Sequence, residues 1–298
     1  MGFMEPPFDI ATLPAGLAMP LSPLVRRVLA PNPSAFTFTG TQSYVIGRED
    51  VAVIDPGPAE QAHLDALVAA IGGRPVTAIL CTHTHRDHSP AAAPLAQATG
   101  APIIGCAPLT LEDDGPRADA AFDAAYRPDK VLGDGDQLSG AGWTLEAVAT
   151  PGHTSNHLCY ALTQEQALFT GDHVMGWSTS IVSPPDGDMG DYMRSMQKLL
   201  DRDDAIYYPA HGEPIERPQR LVRGMMGHRK HREGQITRHI SARPDGARIA
   251  DMVEEMYKGV DRKLHPAAAR SVLAHLIDME QRGLATHMEG DLWKGRAG

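Results

Sequence analysis

The run Thr82-His83-Thr84-His85-Arg86-Asp87-His88 follows the apolar stretch Ala78-Ile79-Leu80-Cys81 directly, and it constrains this chain more than any other segment. Three imidazoles and a carboxylate crowd into residues 83–88, where a buried strand ends. In extended backbone, side chains two apart point the same way, so His83 and His85 can grip one ion from one side. If the chain then turns into a helix, Asp87 and His88 leave its first turn and can hold a second ion nearby. Pro90 favours that start, because its fixed φ suits the first helical position and its missing N–H costs nothing there. One histidine on a strand is an ordinary packed or surface residue. The spacing H-x-H-x-D-H at a strand end is a metal-site pattern, and it requires further ligands downstream.

Three later islands supply them, each an apolar run that stops at a His or Asp. Leu145 to Thr150 ends at Pro151-Gly152-His153-Thr154, Ala167-Leu168-Phe169 at Thr170-Gly171-Asp172-His173, and Ile206-Tyr207-Tyr208 at Pro209-Ala210-His211-Gly212. Glycine beside each ligand lets the backbone approach closely or take positive φ, and ligands on loops at neighbouring strand ends are how a rigid scaffold holds a precise site. An earlier island, Val51-Ala52-Val53-Ile54-Asp55-Pro56-Gly57, ends in a carboxylate with no metal vacancy left to fill. Asp55 therefore reads as a residue that orients a ligand from behind.

The ordered set His83, His85, Asp87, His88, His153, Asp172, His211 resembles the complete dinuclear motif of the metallo-β-lactamase superfamily. The resemblance implies one ion on His83, His85 and His153, another on Asp87, His88 and His211, and Asp172 bridging the two. An aspartate rather than a cysteine at the bridging position is similar to the glyoxalase II, phosphodiesterase and nuclease branches. Outside the site, Asp191-Tyr192-Met193 to Leu199-Leu200, His228-Arg229, Arg232-Glu233-Gly234-Gln235-Ile236 and His265-Pro266-Ala267-Ala268 onward resemble the beta-lactamase-like protein 2 branch. That branch carries a small winged-helix-like domain after the hydrolase fold. The implied fold class is α/β, an αββα metallo-β-lactamase sandwich followed by a small, mostly helical domain. Residues 1–216 are expected to form the catalytic domain (with 1–25 an irregular N-terminal segment), 217–243 a connecting basic helix, and 244–298 the winged-helix-like domain.

Periodicity gives a compatible layout. Strand-like runs recur at 36–46, 51–54, 76–81, 102–104, 143–149, 158–162, 167–170 and 206–209, with helical patterns at 60–71, 88–98 and 190–200. From 217 the pattern becomes helical, at 217–240, 246–258 and 266–282, before a short strand pair at 284–295. Residues 14–33 are Pro-rich and are expected to wrap irregularly over the surface. With 298 residues and 42% apolar content the chain can bury one large core and a small second one.

Composition excludes several classes. No apolar run approaches the roughly 20 residues that span a bilayer. Met1 to Asp9 lacks the basic and apolar regions of a signal peptide, and Pro6 stands where a myristoylation signal at Gly2 needs Ser or Thr. Cys81, Cys106 and Cys159 sit in apolar contexts without framework spacing, which points to reduced, buried thiols and a cytoplasmic protein. Charge is uneven: residues 1–213 hold 11 Lys/Arg against 26 Asp/Glu, and 214–298 hold 16 against 11. The basic density peaks in 217–243, readable as a polyanion footprint, nucleic acid or a carrier's phosphopantetheine, or as a solvated helix face paired with the acidic domain. The second reading is preferred, because no aromatic residue interleaves the stretch to make a stacking platform.

The ligand set implies a hydrolase in which a hydroxide bridging two ions attacks a carbonyl carbon or phosphorus. All donors are N or O, which suits two Zn2+, with iron or manganese admitted at one site. Asp87 and Asp172 act as ligands and orient the nucleophile. His157 is either a proton donor to the leaving group or a strand-packing residue. By resemblance Tyr44, Trp177 and Tyr192 line the cleft, though each could equally be core. The branch implies thioesterase-like hydrolysis in some members and endoribonuclease activity on single-stranded RNA in others. A small-molecule or carrier-bound ester or thioester is the first choice, phosphodiester cleavage in RNA the alternative, and a non-catalytic nucleic-acid-binding protein the third. Because every expected ligand lies at or before His211, a chain cut near Arg243 is expected to keep the whole metal site.

Overall fold

The computed structural model describes residues 14–109 and 122–296. Residues 1–13, which include the leader and acylation readings, lie outside the described residues. One sheet has the order β1 (Ala18–Pro20), β2 (Val25–Leu29), β3 (Gln42–Ile46), β4 (Val51–Ile54), β5 (Val76–Cys81), β6 (Ile103–Gly105) and β7 (Lys130–Val131). A second runs β12 (Ile206–Pro209), β11 (Ala167–Gly171), β10 (Leu158–Leu162), β9 (Trp143–Ala149) and β8 (Gln137–Gly140).

Side-chain alternation decides which faces meet. Leu145 and Ala147 of β9, Leu158, Tyr160 and Leu162 of β10, and Ala167 and Phe169 of β11 point inward and share one core with Val53, Ile79 and Leu80 of the first sheet. The intervening Val148, Cys159, Ala161 and Leu168 point outward. They pack on α3 (Met189–Leu200) through Tyr192 and Met196, and on α4 (Pro218–Ser241) through Val222 and Met225. Helices α1 (Gln61–Ile71) and α2 (Ala92–Thr99) cover the other face of the first sheet, Leu67 and Leu95 being fully buried. The result is a helix–sheet–sheet–helix sandwich.

The small C-terminal unit comprises β13 (Ala247–Arg248), α5 (Ile249–Met256), α6 (His265–Gln281), β14 (Ala285–His287) and β15 (Leu292–Gly295), with sheet order β13-β15-β14. Its core includes Met252, Val272, Leu276, Met279 and Trp293, and also Ile236 and Ile240 from the end of α4. Helix α4 thus spans both cores rather than merely connecting them. Among the described residues, no helix is long and apolar enough to cross a membrane.

Several local expectations are corrected. The Pro-rich segment does not wrap irregularly: Val25–Leu29 pairs with both β1 and β3, with Val25, Val28 and Leu29 buried. Within 36–46 the strand begins only at Gln42, because Phe38 takes positive φ (58°) in a turn. Helix α2 begins at Ala92, so Pro90 precedes it and Asp87 and His88 sit in turns, not in a first helical turn.

Candidate metal centre

The ligand-bearing loops leave the carboxyl ends of their strands: His83 after β5, His153 after β9, Asp172 after β11 and His211 after β12, with Asp55 after β4. Open α/β sheets place ligands at that end. Donor atoms of His83, His85, His153 and Asp172 fall within 4.8 Å of one another, and so do those of Asp87, His88 and His211. In the first group His83 Nε2 lies 3.0 Å from His85 Nδ1, which lies 3.2 Å from His153 Nε2. Ligands of a tetrahedral zinc stand ~3.3 Å apart, given Zn–N bonds of about 2.0–2.1 Å. In the second group Asp87 Oδ2 lies 3.2 Å from His211 Nε2 and 3.4 Å from His88 Nε2. Asp172 faces both: Oδ1 is 3.2 Å from His211 Nε2, and Oδ2 is 3.7 Å from His153 Nε2. His88 Nε2 and Asp172 Oδ1 are buried without a hydrogen-bond partner. Buried polar atoms are normally satisfied, so orphans aimed into a ring of donors fit ions held there.

The far sides of the rings are tied down, which sets ring direction and the nitrogen left for a metal. His83 Nδ1 meets Thr82 Oγ1 at 3.0 Å, His88 Nδ1 meets Asp55 Oδ2 at 3.0 Å, His153 Nδ1 meets Ile181 O at 2.6 Å and His211 Nδ1 meets Gly40 O at 3.2 Å. Asp55 also accepts from Thr82 N at 2.7 Å and Thr82 Oγ1 at 2.8 Å, so one carboxylate steadies the start of the H-x-H-x-D-H loop and a ring within it.

Burial, reinforced by neighbouring imidazoles, holds His83 neutral and lowers His85 to about 3, leaving lone pairs available. In the second group burial opposes the charged forms but is outweighed. Asp87 and Asp172 raise His88 well above its ordinary range and lift His211 to about 10, and those histidines hold both carboxylates well below theirs. Loading ions there therefore displaces protons, and apparent affinity should rise with pH. For the metal-free protein the sign follows from linkage. The raised histidines stabilise fully below their unfolded value of about 6.5 and lose that contribution as pH rises through the folded value; the depressed carboxylates stabilise above about 3.9. Burial holds His83, His85, His157 and His173 neutral, and these oppose folding increasingly as pH falls below about 6.5, so metal-free stability should rise from about pH 4 to 6.5 and decline toward pH 10. Denaturant titrations across this range check it, and a rise in stability over pH 6.5–10 would contradict it.

Glycine does what the ligand loops require. Gly152 has φ +134°, and a Cβ there would lie 2.3 Å from the backbone of Tyr192 at the start of α3. Gly152→Ala should lower stability by more than ~2 kcal/mol and displace His153, since core-facing clashes and left-handed strain fall among the costly substitution classes. Denaturation and metal content measured together check this.

Other expected site residues are placed differently. His157 is buried behind His83, its Nδ1 2.9 Å from Thr150 Oγ1, and burial with nearby His173 and His153 pushes it well below its ordinary range. His157 therefore packs behind the site, as the strand-packing reading expects. Tyr44 is core, not cleft: its ring meets Phe169 and Tyr208, and its hydroxyl donates to Pro209 O at 2.6 Å. Tyr192 is likewise fully buried, against His173 and Arg229. Trp177 is half-buried one residue past Gly176, whose N–H donates to His211 O at 2.9 Å, and stacks on Phe38 at 5.0 Å. The sequence reading missed Phe38. It missed Ile181 and Gly40 too, because a backbone carbonyl leaves no side-chain signature.

The basic stretch 217–243 also divides. Arg229 is buried, Arg232 lies over the Tyr257 ring at 4.3 Å, and Arg243 reaches Glu255. Exposed Arg217, Arg220, Arg223, Lys230 and Arg238 form no ion pair with a described residue, so the expected pairing with the acidic domain is not what holds them. Cys81, Cys106 and Cys159 are buried and unpaired, and burial raises all three thiols.

Comparison with known proteins agrees with this architecture. A beta-lactamase-like protein 2 homolog from Drosophila melanogaster is 31% identical over 277 residues, covering 88% of this chain and 90% of its own. An atrochrysone carboxyl ACP thioesterase from Claviceps purpurea (strain 20.1) is 30% identical over 249 residues, 80% of this chain and 73% of that protein. In structure, a beta-lactamase domain protein from Burkholderia ambifaria superposes with a TM-score of 0.79 at 20% identity, covering 96% and 95% of the two chains. The profile of the beta-lactamase associated winged helix domain matches 249–293, and that of the metallo-beta-lactamase superfamily matches 36–211. With its sandwich, its strand-end His/Asp cluster and more than half its length matched, the chain belongs to the metallo-beta-lactamase superfamily of hydrolases.

Proposed function

We propose that the chain is a dinuclear hydrolase of a small or carrier-bound ester or thioester. The observation that carries this reading is Asp172, whose two oxygens face the two donor groups separately. His83, His85 and His153 would hold one ion, Asp87, His88 and His211 the other, with Asp172 shared. The donors are all N or O, which favours zinc and admits iron or manganese at one position. When bound, two dications acidify a water toward pKa about 7 and polarise the electrophile. The protein's part is orientation. Asp87 and Asp172 would accept the hydrogen bond of the attacking water and set its direction. Asp55 and Thr82 keep the His83 and His88 rings from turning. The Phe38–Trp177 stack flanks the His211 side and offers an apolar wall to an acyl group. The name of the thioesterase relative supports carbonyl over phosphoryl chemistry. We place the catalytic unit in 1–216, the linking helix in 217–243 and the winged-helix unit in 244–298, and the buried thiols support a cytoplasmic setting.

A zinc-loaded preparation tested on acyl-pantetheine thioesters, simple esters, a phosphodiester and single-stranded RNA decides the substrate class. Thioester turnover that chelation abolishes and zinc restores supports the proposal. Turnover of RNA alone would favour the second reading, which the unpaired cations of α4 support. In that case binding should weaken steeply with salt.

A further inference from the structure

We infer that Arg229 and Arg270, on α4 and α6 outside every ligand-bearing loop, are positioning residues for His153. The inference rests on the dinuclear reading above. His153 is oriented by one carbonyl, Ile181 O, 2.6 Å from its Nδ1. That carbonyl belongs to segment 180–188, which has neither helix nor strand to hold it.

On its inner side the segment grips both flanks of His153: Asp188 N donates to Gly152 O at 3.0 Å, and Ser155 N donates to Asp186 Oδ1 at 2.9 Å. Ser180 Oγ also donates to His173 O at 2.7 Å, beside Asp172. On its outer side two guanidinium groups hold it. Arg229 Nη2 donates to Ser180 O, immediately before Ile181. Arg270 Nη2 donates to Pro184 O, and its Nε donates to Ser183 Oγ at 3.2 Å. The two arginines thus bracket Ile181.

Arg229 is only 4% exposed, lies 5.2 Å from the Tyr192 ring centroid and reaches Ser271 Oγ on α6 at 3.4 Å. It has no carboxylate partner among the described residues; Glu233, the one acid on α4, pairs with Arg282. Burying a guanidinium without a counter-ion is costly, and an apolar side chain would fill the same space. What the planar fork adds is direction, and here it points at the carbonyl next to the one that aims His153.

The test is zinc affinity, read by chelator competition on full-length Arg229→Gln and Arg270→Gln proteins, with metal-free melting temperature measured alongside. One of the two zinc ions should bind about 10–100-fold more weakly, as when a ligand loses its orienting partner, while the other stays within about twofold. Arg270→Lys, which keeps a donor for Pro184 O, should recover most of the loss. Unchanged affinity for both ions in a folded variant overturns the inference. So does parallel weakening of both ions with a collapse in metal-free melting, which would make the arginines supports of the fold alone. Arg270 is only half-buried, so its variants carry the test if Arg229→Gln does not fold. A parent protein that binds no zinc refutes the dinuclear reading itself, a distinct result.

Discussion

Asp172→Asn is expected to cut turnover by more than ~100-fold, beyond the 10–100-fold typical of residues that orient ligands from behind, while leaving the fold intact. Asp172 directly follows β11, and its two oxygens face different donor groups, so the neutral amide removes charge from both at once. The backbone has no reason to move, since Asn is nearly isosteric. Asp55→Asn is the informative comparison. Asp55 sits at positive φ (48°), a conformation Asn tolerates, and an amide can keep part of its bonding to Thr82. Its loss should fall within about 10–100-fold and concentrate on the His88 side. Measured kcat/KM, metal content and circular dichroism on both variants check this. Equal losses would show that the division between ligand and orienting carboxylate is wrong.

The donor residues were legible because each is a polar side chain interrupting an apolar run at a strand end, where no folding reason for it exists. The inner strands were legible for the same reason: Ala78 to Cys81 and Leu158 to Leu162 are continuous apolar runs, buried on both faces. Strand β2 was hidden because Arg26 and Arg27 interrupt Val25–Leu29 and Pro20 and Pro23 flank it. Arg27 is nonetheless buried, bonded to Gln42 Oε1 at 3.2 Å with Glu213 at 3.6 Å, a partnership that exists only after folding. Tyr44, Tyr192 and His157 stayed open between site and core for a related reason. A polar-tipped ring near ligands in sequence serves a cleft or a core equally well, and only the partner found by its tip decides. For Tyr44 that partner is Pro209 O, on the far side of the sandwich core.

A chain ending at Arg243 is expected to fail, contrary to what the position of the last ligand suggests. Every donor is indeed retained, since His211 precedes the cut. The cut, however, strips Met252, Val272, Leu276, Met279 and Trp293 from Ile236 and Ile240, both fully buried at the end of α4. Exposing two such side chains costs roughly 1.5–3 kcal/mol each, enough with the raw apolar stripe to lower the melting temperature and promote aggregation. The cut also removes α6, and with it Arg270 and the Ala274 contact on the catalytic core. These two losses separate experimentally. Adding Ile236→Glu and Ile240→Glu to the truncated chain should restore solubility, because both positions then face water. It should not restore full zinc affinity at His153, because segment 180–188 still lacks Arg270, one of its two outer holds. A soluble truncated protein with the parent's affinity for both ions and its rate on a small ester would show that the small unit leaves the metal centre untouched.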